Sequence, residues 1–203
     1  MYKNFFKRTL DICIGLIALP FVIIVIICCA PFIWLTDKGP IFYNATRAGK
    51  DYLPFKMFKL RSMYVNSPDL KNPDGSTYNS DYDPRVTPIG RFMRKTSLDE
   101  FPQFLNVLKG DISFIGPRPK LYRPEKYPNG LEGDMKISFT VKPGITGYAQ
   151  AYYRNSITQE EKYHWDAYYA ENISFGLDLK IVLHTIYSVL GRKNINTEQS
   201  YKR

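Results

Sequence analysis

The sequence is poor in the residues that build disulfide frameworks and metal clusters. It has three cysteines in 203 residues, Cys13, Cys28 and Cys29, and all three lie in one apolar segment. It has no C-x-x-C pair, and its two histidines, His164 and His184, have no partner pattern. We therefore expect neither a disulfide-stabilised fold nor a cysteine metal site, and we expect the histidines at the surface or in packing.

Acidic residues are also scarce relative to basic ones. The chain has 28 Lys and Arg against 19 Asp and Glu, which gives a formal net charge of +9. This excess predicts an anionic partner, either nucleic acid, acidic lipid head groups or a phosphorylated substrate. The length allows one domain of moderate size, and no internal repeat is visible.

One apolar segment dominates the N-terminal region. Every residue from Ile12 to Thr36 is uncharged, and this run exceeds the roughly 20 residues that cross a bilayer. No small-residue cleavage site follows a short apolar core, so the segment is not a cleavable signal peptide. Pro20 and Pro31 lie inside the run and favour a kink in the helix. The simplest interpretation is one transmembrane helix.

The charges around this segment favour a second interpretation. Basic residues flank the run on both sides: Lys3, Lys7 and Arg8 before it, and Lys38, Arg47 and Lys50 after it. Positive flanks belong on the cytoplasmic side of a membrane. Both flanks satisfy this rule if the helix enters the membrane, bends near Pro20 and returns to the same face. The sequence leaves the spanning and re-entrant courses open.

The centre of the chain carries two adjacent carboxylates, Asp99 and Glu100. Ser97 followed by Glu100 has the spacing of a capping box, and apolar residues at helical spacing follow, so the pattern predicts a helix that begins near Ser97 and ends at Gly110. At that helix start the dipole would favour ionised carboxylates. An ionised carboxylate can attack phosphorus or hold Mg²⁺. The alternative is that both acids only cap the helix.

Basic residues surround this acidic pair in the sequence. Arg91, Arg94 and Lys95 precede it, and Arg118 follows it between Pro117 and Pro119. The two prolines restrict the backbone on either side of Arg118, which leaves its guanidinium little entropy to lose on binding a phosphate. The whole stretch from Arg94 to Pro119 is thus suited to phosphate and a metal ion.

Other segments complete the prediction of the fold. Extended stretches over Ile41–Tyr43 and Phe55–Met63 predict a short hairpin that turns through Ala48–Asp51. A polar loop is expected over Asn66–Pro84. An amphipathic helix over Leu177–Leu190 packs on the core or lies on a membrane surface, and a polar tail follows from Arg192.

Three motifs in the central stretch resemble those of the bacterial sugar transferase family. They are Ser97–Gln103 (SLDEFPQ), Asn106–Asp111 (NVLKGD) and Ser113–Pro119 (SFIGPRP). These proteins are the monotopic phosphoglycosyl transferases that begin the assembly of polyprenol-linked glycans. The resemblance extends to Lys59–Met63 and to Lys142–Gly147, where Lys142 replaces the usual arginine. The family typically has serine before the membrane-helix proline, whereas this chain has Leu19 before Pro20.

The resemblance implies an α+β, mostly helical fold. It implies an N-terminal re-entrant membrane helix over residues 1–37, broken at Pro20, and a cytoplasmic catalytic α/β domain over 38–203 with the short hairpin and membrane-surface amphipathic helices. The protein would act at the cytoplasmic face of the bacterial inner membrane.

The resemblance also implies a reaction. Asp99 would attack the β-phosphorus of a UDP-sugar and expel UMP, and polyprenol (undecaprenyl) phosphate would then take the sugar phosphate. Mg²⁺ would bind Asp99 and Glu100, the two catalytic residues. Substrate phosphate or nucleotide would contact Lys59, Arg94, Arg118, Arg154 and Asp166. The bilayer, a second copy of the chain and downstream glycosyl transferases are candidate partners.

Three alternatives stay open at this stage. The chain could be a noncatalytic membrane scaffold of a glycan-assembly complex, or a glycosyl transferase that releases UDP. A nucleic-acid binder is suggested only by charge, because the chain lacks an aromatic-basic recognition motif and has a membrane segment. We therefore expect no nucleic acid among its partners.

Overall fold

The fold is α+β and mostly helical, as the sequence predicts. A computed structural model describes residues 2–70, 78, 80, 82–127, 130–154 and 156–190. Part of the predicted loop Asn66–Pro84, and all of the predicted tail from Arg192, lie outside these residues. The re-entrant course of the first helix and its cytoplasmic setting stay predictions.

Seven helices and five short strands are present among the described residues. The helices are α1 (Lys7–Asp37), α2 (Pro88–Thr96), α3 (Gln103–Lys109), α4 (Gly133–Ser138), α5 (Tyr148–Tyr152), α6 (Gln159–Glu171) and α7 (Phe175–Leu190). The strands are β1 (Ala45–Ala48), β2 (Pro54–Met57), β3 (Ser113–Ile115), β4 (Lys120–Leu121) and β5 (Gly144–Thr146). A π-helical turn, Tyr2–Phe6, precedes α1.

The chain divides into two compact units. The first contains Met1–Gly15, Thr46–Lys56 and Asn106–Arg203, and the second contains Leu16–Ala45 and Met57–Leu105. The predicted division into a membrane segment over 1–37 and a catalytic domain over 38–203 stays a prediction.

Helix α1 has the length and composition of a membrane helix. It is the one helix among the described residues that is long and apolar enough to cross a bilayer. Its large apolar side chains are mostly exposed, with Ile17 71% and Ile27 66% accessible, whereas a core helix would bury them. Pro20 and Pro31 both lie within the helical range. Helix α1 continues past Pro20, so the break of the helix at this residue stays a prediction.

The predicted hairpin is present in the first unit. Strands β1 and β2 are neighbours in a three-stranded sheet of order β2-β1-β4. A short 3₁₀ turn, Lys50–Tyr52, joins them, and Gly49 N donates to Leu53 O over 2.7 Å. In the second unit, Phe42 and Leu60 form an antiparallel bridge, so the two predicted extended stretches also pair there.

The predicted capping box at Ser97 is wrong. Thr87 and Pro88 begin an earlier helix, α2, whose last turn ends at Ser97 in the left-handed conformation (φ 58°), and the Ser97 side chain makes no capping hydrogen bond. Asp99 and Glu100 lie instead in a 3₁₀ turn, Leu98–Glu100, and α3 begins only at Gln103. The predicted end of the helix at Gly110 is confirmed, because Gly110 (φ 96°) follows the last residue of α3.

A short extended segment, Lys59–Ser62, organises the second unit. Leu60 is fully buried in a core with Met93, Cys29 and Ile33. The next residue, Arg61, forms two hydrogen bonds of 2.7 Å to the carboxylate of Asp37 at the end of α1. The Arg61 guanidinium also donates to the carbonyl of Met63. These contacts hold Leu60 and Arg61 in place directly after Lys59.

Buried carboxylates fix the start of α1 in the first unit. Asp178 of α7 accepts hydrogen bonds from Tyr2, Lys7 and Tyr169. Asp11 accepts from the hydroxyl and backbone of the β3 region, at Ser113 and Phe114. These bonds satisfy polar groups that burial would otherwise make costly, so they define the position of the helix start.

The last turn of α3 receives a cation from the same helix start. Arg8 donates to the carbonyls of Val107 and Leu108, over 2.6 and 2.8 Å. Carbonyls in the last turn of a helix have no intrahelical partner and lie at the negative end of its dipole, so a guanidinium there is favourable.

The predicted C-terminal amphipathic helix is confirmed as α7. Its buried side includes Ile181, in a core with Tyr169, Ile115 and Ala151. Its other side exposes large apolar residues: Phe175, Leu179, Leu183, Ile186 and Tyr187. Contact of this exposed side with a membrane surface stays a prediction.

We predict that the pair Arg61–Asp37 contributes much more to stability than an exposed ion pair. Arg61→Met leaves a partly buried carboxylate without its partner, and we expect it to lower the free energy of unfolding by about 3 kcal/mol. Lys109→Met breaks the pair Lys109–Asp111, whose lysine is 59% exposed, and should cost less than about 1 kcal/mol. Chemical unfolding in detergent, followed by circular dichroism, measures both. Equal losses in the two variants would contradict this prediction.

Candidate active site

The residues that the sequence predicts for the site fall into both units. Lys59, Arg94, Asp99 and Glu100 belong to the second unit. The others, Arg118, Arg154 and Asp166, belong to the first.

In the second unit, one lysine ammonium contacts both carboxylates of the acidic pair. Lys59 Nζ lies 2.8 Å from Asp99 Oδ2 and 3.3 Å from Glu100 Oε1. Leu60 N also donates to the backbone carbonyl of Asp99 over 2.9 Å, which ties the 3₁₀ turn to the segment Lys59–Ser62. The turn therefore presents two adjacent acids to a single cation.

The two acids differ in their surroundings. Asp99 is 2% exposed, and the Glu100 side chain is 38% exposed. The buried oxygen Asp99 Oδ2 has no hydrogen-bond donor among the described residues, since the ammonium of Lys59 approaches it without hydrogen-bond geometry. A buried carboxylate oxygen without a donor is costly unless a charge or ligand satisfies it. The positive charge of Lys59 therefore stabilises Asp99 Oδ2 in place of a hydrogen bond.

Arg94 is the predicted basic neighbour that the structure orients. It lies on α2, where its Nε donates to Ser62 Oγ over 2.9 Å. Partial burial lowers the pKa of Arg94, and the negative charges of Asp99 and Asp83 act in the opposite direction. The guanidinium is therefore held close enough to Asp99 to be influenced by its charge. The other members of the predicted cluster, Arg91 and Lys95, are exposed on the same helix.

The acidic pair provides two ligands for a divalent cation. Among the described residues, no group of three or more His, Cys, Asp or Glu side chains could hold a metal ion. Mg²⁺ does not require such a group, because it commonly binds one or two carboxylates together with substrate phosphates and water. The convergence of Asp99 and Glu100 on one ammonium shows that both carboxylates can face the same positive charge. The donor set fits Mg²⁺ on that ground.

In the first unit, Asp166 is a buried carboxylate with incomplete partners. It lies on α6 and is 1% exposed, and neither of its side-chain oxygens has a hydrogen-bond donor among the described residues. Lys120 Nζ of β4 lies 3.6 Å from Asp166 Oδ2. Burial raises the pKa of Asp166 to about 6, although the charges of Lys120 and Lys162 lower it. Sequence analysis missed both lysines, although Lys162 lies one helical turn before Asp166.

Arg118 lies in a loop whose backbone is fixed by two motif glycines. Gly144 N donates to Pro117 O, and Gly116 N donates to Thr146 O, each over 2.8 Å. A Cβ on Gly144 would collide with the backbone of Gly116. The glycines of the Lys142–Gly147 motif therefore permit close packing of strands β3 and β5. Arg118 is exposed beyond this contact.

Arg118 and Lys120 line one small pocket. The pocket has a volume of about 10 Å³, which is room for a single water molecule. Arg154 follows α5 in the left-handed conformation, with φ 50°, and its neighbour Asn155 lies outside the described residues. The structure thus brings Lys120 near both Arg118 and Asp166, and the roles of all seven predicted residues stay predictions.

Comparison with known proteins identifies the family. The profile of a family described as bacterial sugar transferase matches residues 2–192. The chain belongs to the bacterial sugar transferase family. The resemblance carried by the three central motifs is thereby confirmed.

Several curated members of the family are similar to this chain. A UDP-glucose:undecaprenyl-phosphate glucose-1-phosphate transferase of Escherichia coli (strain K12) is 39% identical over 187 residues, 89% of this chain and 39% of the relative. A UDP-N-acetylgalactosamine-undecaprenyl-phosphate N-acetylgalactosaminephosphotransferase of Aeromonas hydrophila is 38% identical over 92% of this chain and 44% of its own length. The sugar transferase EpsL of Bacillus subtilis (strain 168) is 38% identical over 93% of this chain and 89% of its own length.

The relatives differ in how much of their length this family region occupies. The chain spans about two-fifths of the Escherichia coli and Aeromonas proteins, and most of EpsL. The bacterial sugar transferase region is therefore shared by longer and shorter proteins.

We predict that Asp166 makes stability depend on pH between about 4 and 6. Its pKa in the fold is about 6, above its ordinary value of 3.8, so the fold favours the protonated carboxyl. The contribution of this carboxyl to the free energy of unfolding is fully present below pH 4 and is lost as the pH rises through 6. The loss across this range is up to about 3 kcal/mol. Asp166→Asn cannot ionise, so the stability difference between wild type and variant should change across this window. Thermal unfolding at several pH values measures it, and a difference that is independent of pH would contradict the assignment.

Proposed function

We propose that this chain transfers a sugar 1-phosphate from a UDP-sugar to polyprenol phosphate, releasing UMP and forming a polyprenol diphosphate sugar. The observation that supports this most directly is the acidic pair Asp99–Glu100, which converges on Lys59 beside Arg94 within a bacterial sugar transferase. The printed names of the Escherichia coli and Aeromonas relatives describe transfer of a sugar phosphate to undecaprenyl phosphate. Because these relatives use different sugars, their similarity does not specify the sugar.

Asp99 is the better nucleophile of the two acids. Its buried Oδ2 has no hydrogen-bond donor among the described residues, so its lone pairs are not engaged by hydrogen bonds. Its backbone is held by Leu60 N, which limits the entropy lost in reaching a reactive geometry. Glu100 is more exposed and is better placed to assist than to attack.

The reaction proceeds in two displacements on phosphorus. In the first, an Asp99 oxygen forms a bond to the β-phosphorus, and the bond from that phosphorus to the bridging oxygen breaks. UMP leaves with the electron pair, and a sugar phosphate stays on Asp99 as an acyl phosphate. In the second, an oxygen of polyprenol phosphate attacks the same phosphorus, and the Asp99 carboxylate is released unchanged. Water would give the free sugar phosphate instead, so its exclusion matters.

Cations stabilise the charge that develops on the transferred phosphate. Lys59 and Arg94 contribute fixed positive charge near Asp99, and such preorganised charge lowers the barrier to phosphoryl transfer. Asp99 and Glu100 would hold Mg²⁺, which supplies further charge neutralisation to the diphosphate. In the first unit, Arg118, Arg154 and Asp166 would bind the phosphate and nucleotide parts of the substrate.

The membrane helix fits a lipid substrate. Exposed apolar side chains along α1 suit a lipid environment, and the basic residues at both of its ends favour the cytoplasmic side. A re-entrant course through Pro20 would keep both ends of α1 on that side, where a UDP-sugar is available. The reaction would then be the first membrane step of bacterial glycan assembly.

We predict that the purified protein releases UMP, and not UDP, from one UDP-sugar. The assay contains protein in detergent, Mg²⁺, polyprenol phosphate and a panel of UDP-sugars, with the two nucleotides quantified separately. Full turnover should require polyprenol phosphate. Release of UMP should also require Mg²⁺, so it should be lost in EDTA and restored when Mg²⁺ is added. Release of UDP would support an ordinary glycosyl transferase. Neither nucleotide from any donor would support a noncatalytic scaffold.

We also predict that Asp99 carries the covalent intermediate. Asp99→Asn should lower UMP release by about 10³-fold or more, because the amide is not a nucleophile. Glu100→Gln should reduce turnover, but the sugar phosphate should still attach to Asp99. With a donor labelled in the β-phosphate and no acceptor, wild type should become labelled and Asp99→Asn should not. Glu160→Gln, at an exposed position of α6, is the control and should match wild type. A labelled Asp99→Asn would contradict the assignment.

A further inference from the structure

The guanidinium of Arg94 is held through only one of its nitrogens. Arg94 Nε donates to Ser62 Oγ over 2.9 Å, and among the described residues its two Nη atoms form no hydrogen bond or ion pair. The charge of Asp99 acts on Arg94 without a direct pair between the two side chains. The two Nη groups of Arg94 are therefore available to a ligand.

Ser62 is the residue that orients Arg94. The two acids whose charges act on Arg94 are Asp83 and Asp99, and neither of them forms a hydrogen bond with it in the part of the chain that the structure describes. The carboxylate of Asp83 is fully buried and accepts hydrogen bonds from Nε and Nη2 of Arg85. Ser62 is itself buried, so its hydroxyl is a fixed acceptor for Arg94 Nε.

Helix α2 packs against the backbone of Ser62 at very close range. Thr87 N, at the start of α2, donates to Ser62 O over 3.1 Å. A Cβ on Gly90 would collide with the same carbonyl group, so this approach requires glycine at position 90. Gly90 and Arg94 are one turn apart and share a face of α2. The close contact at Gly90 thus brings Arg94, on the next turn, within reach of the Ser62 hydroxyl.

Ser62 belongs to the segment Lys59–Ser62, which also holds the acidic turn. Leu60 N donates to Asp99 O over 2.9 Å, and Lys59 Nζ lies 2.8 Å from Asp99 Oδ2. This one segment therefore places both cations of the candidate site. It carries Lys59 itself, and it holds Arg94 through the hydroxyl of Ser62.

The use of Nε leaves the most useful edge of the guanidinium available. A guanidinium is planar, so a hydrogen bond that fixes Nε restricts the orientation of the whole group. The edge formed by Nη1 and Nη2 can then donate two parallel hydrogen bonds to two oxygens of one phosphate. An arginine that is oriented in advance also loses less entropy when it binds.

We propose that Ser62 is a positioning residue that holds Arg94 by its Nε and directs the two Nη groups of this arginine to the phosphate that Asp99 attacks. This rests on the proposed function, since that reaction supplies the phosphate. Ser62 itself touches no reacting atom in this scheme. Its contribution to turnover passes entirely through Arg94.

The first test is the rate of UMP release by the full chain in detergent. Ser62→Ala should lower this rate about tenfold, because Arg94 loses a hydrogen bond to a charged group. Ser62→Thr keeps the hydroxyl and should recover most of the rate. Ser67→Ala is the control and should match wild type, since it removes a serine hydroxyl of the same unit that donates to the carbonyl of Tyr64.

The free energy of unfolding of each variant is measured alongside its rate. Ser62→Ala that releases UMP as fast as wild type would overturn the proposal. So would Ser62→Thr that is as stable as wild type and as slow as Ser62→Ala.

A double-mutant cycle separates positioning from a purely structural role. Arg94→Met removes the guanidinium, and it should lower UMP release more than Ser62→Ala does. In the Arg94→Met background, Ser62→Ala should cause no further loss, because the group through which it acts is already absent. A tenfold loss from Ser62→Ala in both backgrounds would show that Ser62 only supports the fold, and would overturn the proposal.

The Nε–H group of Arg94 gives a readout that needs no turnover. Its NMR signal, assigned by its absence from Arg94→Met, should exchange slowly with water in wild type and fast in Ser62→Ala. Wild type that releases no UMP from any UDP-sugar would contradict the proposed function, while a slowly exchanging Nε–H would still support the contact of Ser62 with Arg94. Wild type that releases UMP, with the same exchange rate in Ser62→Ala, would contradict the positioning role alone.

Discussion

The second unit depends on the contact of one lysine ammonium with two adjacent carboxylates. Two neighbouring carboxylates repel each other, and burial of one adds a desolvation cost. Lys59 contacts both Asp99 and Glu100 and offsets these costs. The surrounding bonds keep this lysine in register. Leu60 binds the backbone of Asp99 and fills the core, and Arg61 pairs with Asp37. A single extended segment thus joins the end of α1 to the acidic turn.

The first unit has the opposite imbalance of charge. Asp166 is a single buried carboxylate whose charge is influenced by Lys120 and Lys162, and its oxygens lack donors among the described residues. In the second unit two acids contact one cation, whereas in the first unit two cations act on one acid.

The start of α1 is held by polar contacts that differ from the apolar ones along its length. Asp11, Arg8 and Lys7 each bond to residues far along the chain, including the carbonyls at the end of α3 and the carboxylate of Asp178. An apolar helix held this way has its N-terminal end fixed by directional bonds, while the apolar side chains along its length stay exposed. The Lys-Arg start of the segment therefore has a structural role in addition to its positive charge.

The sequence by itself determined the class of fold, the apolar helix, the hairpin, the end of α3 at Gly110 and the family, because these depend on local composition, spacing and motif order. It also predicted Asp99, Glu100, Lys59 and Arg94 for one site, and the structure brings these four residues together. It misplaced the start of the helix at Ser97, because Thr87 and Pro88 begin an earlier helix that uses Ser97 as its end. Only the tertiary structure decided that Lys59 contacts both acids, and that Lys120 of β4 faces Asp166 of α6. Such contacts join residues about 40 positions apart in the chain, and no local pattern encodes which distant side chain a buried charge will meet.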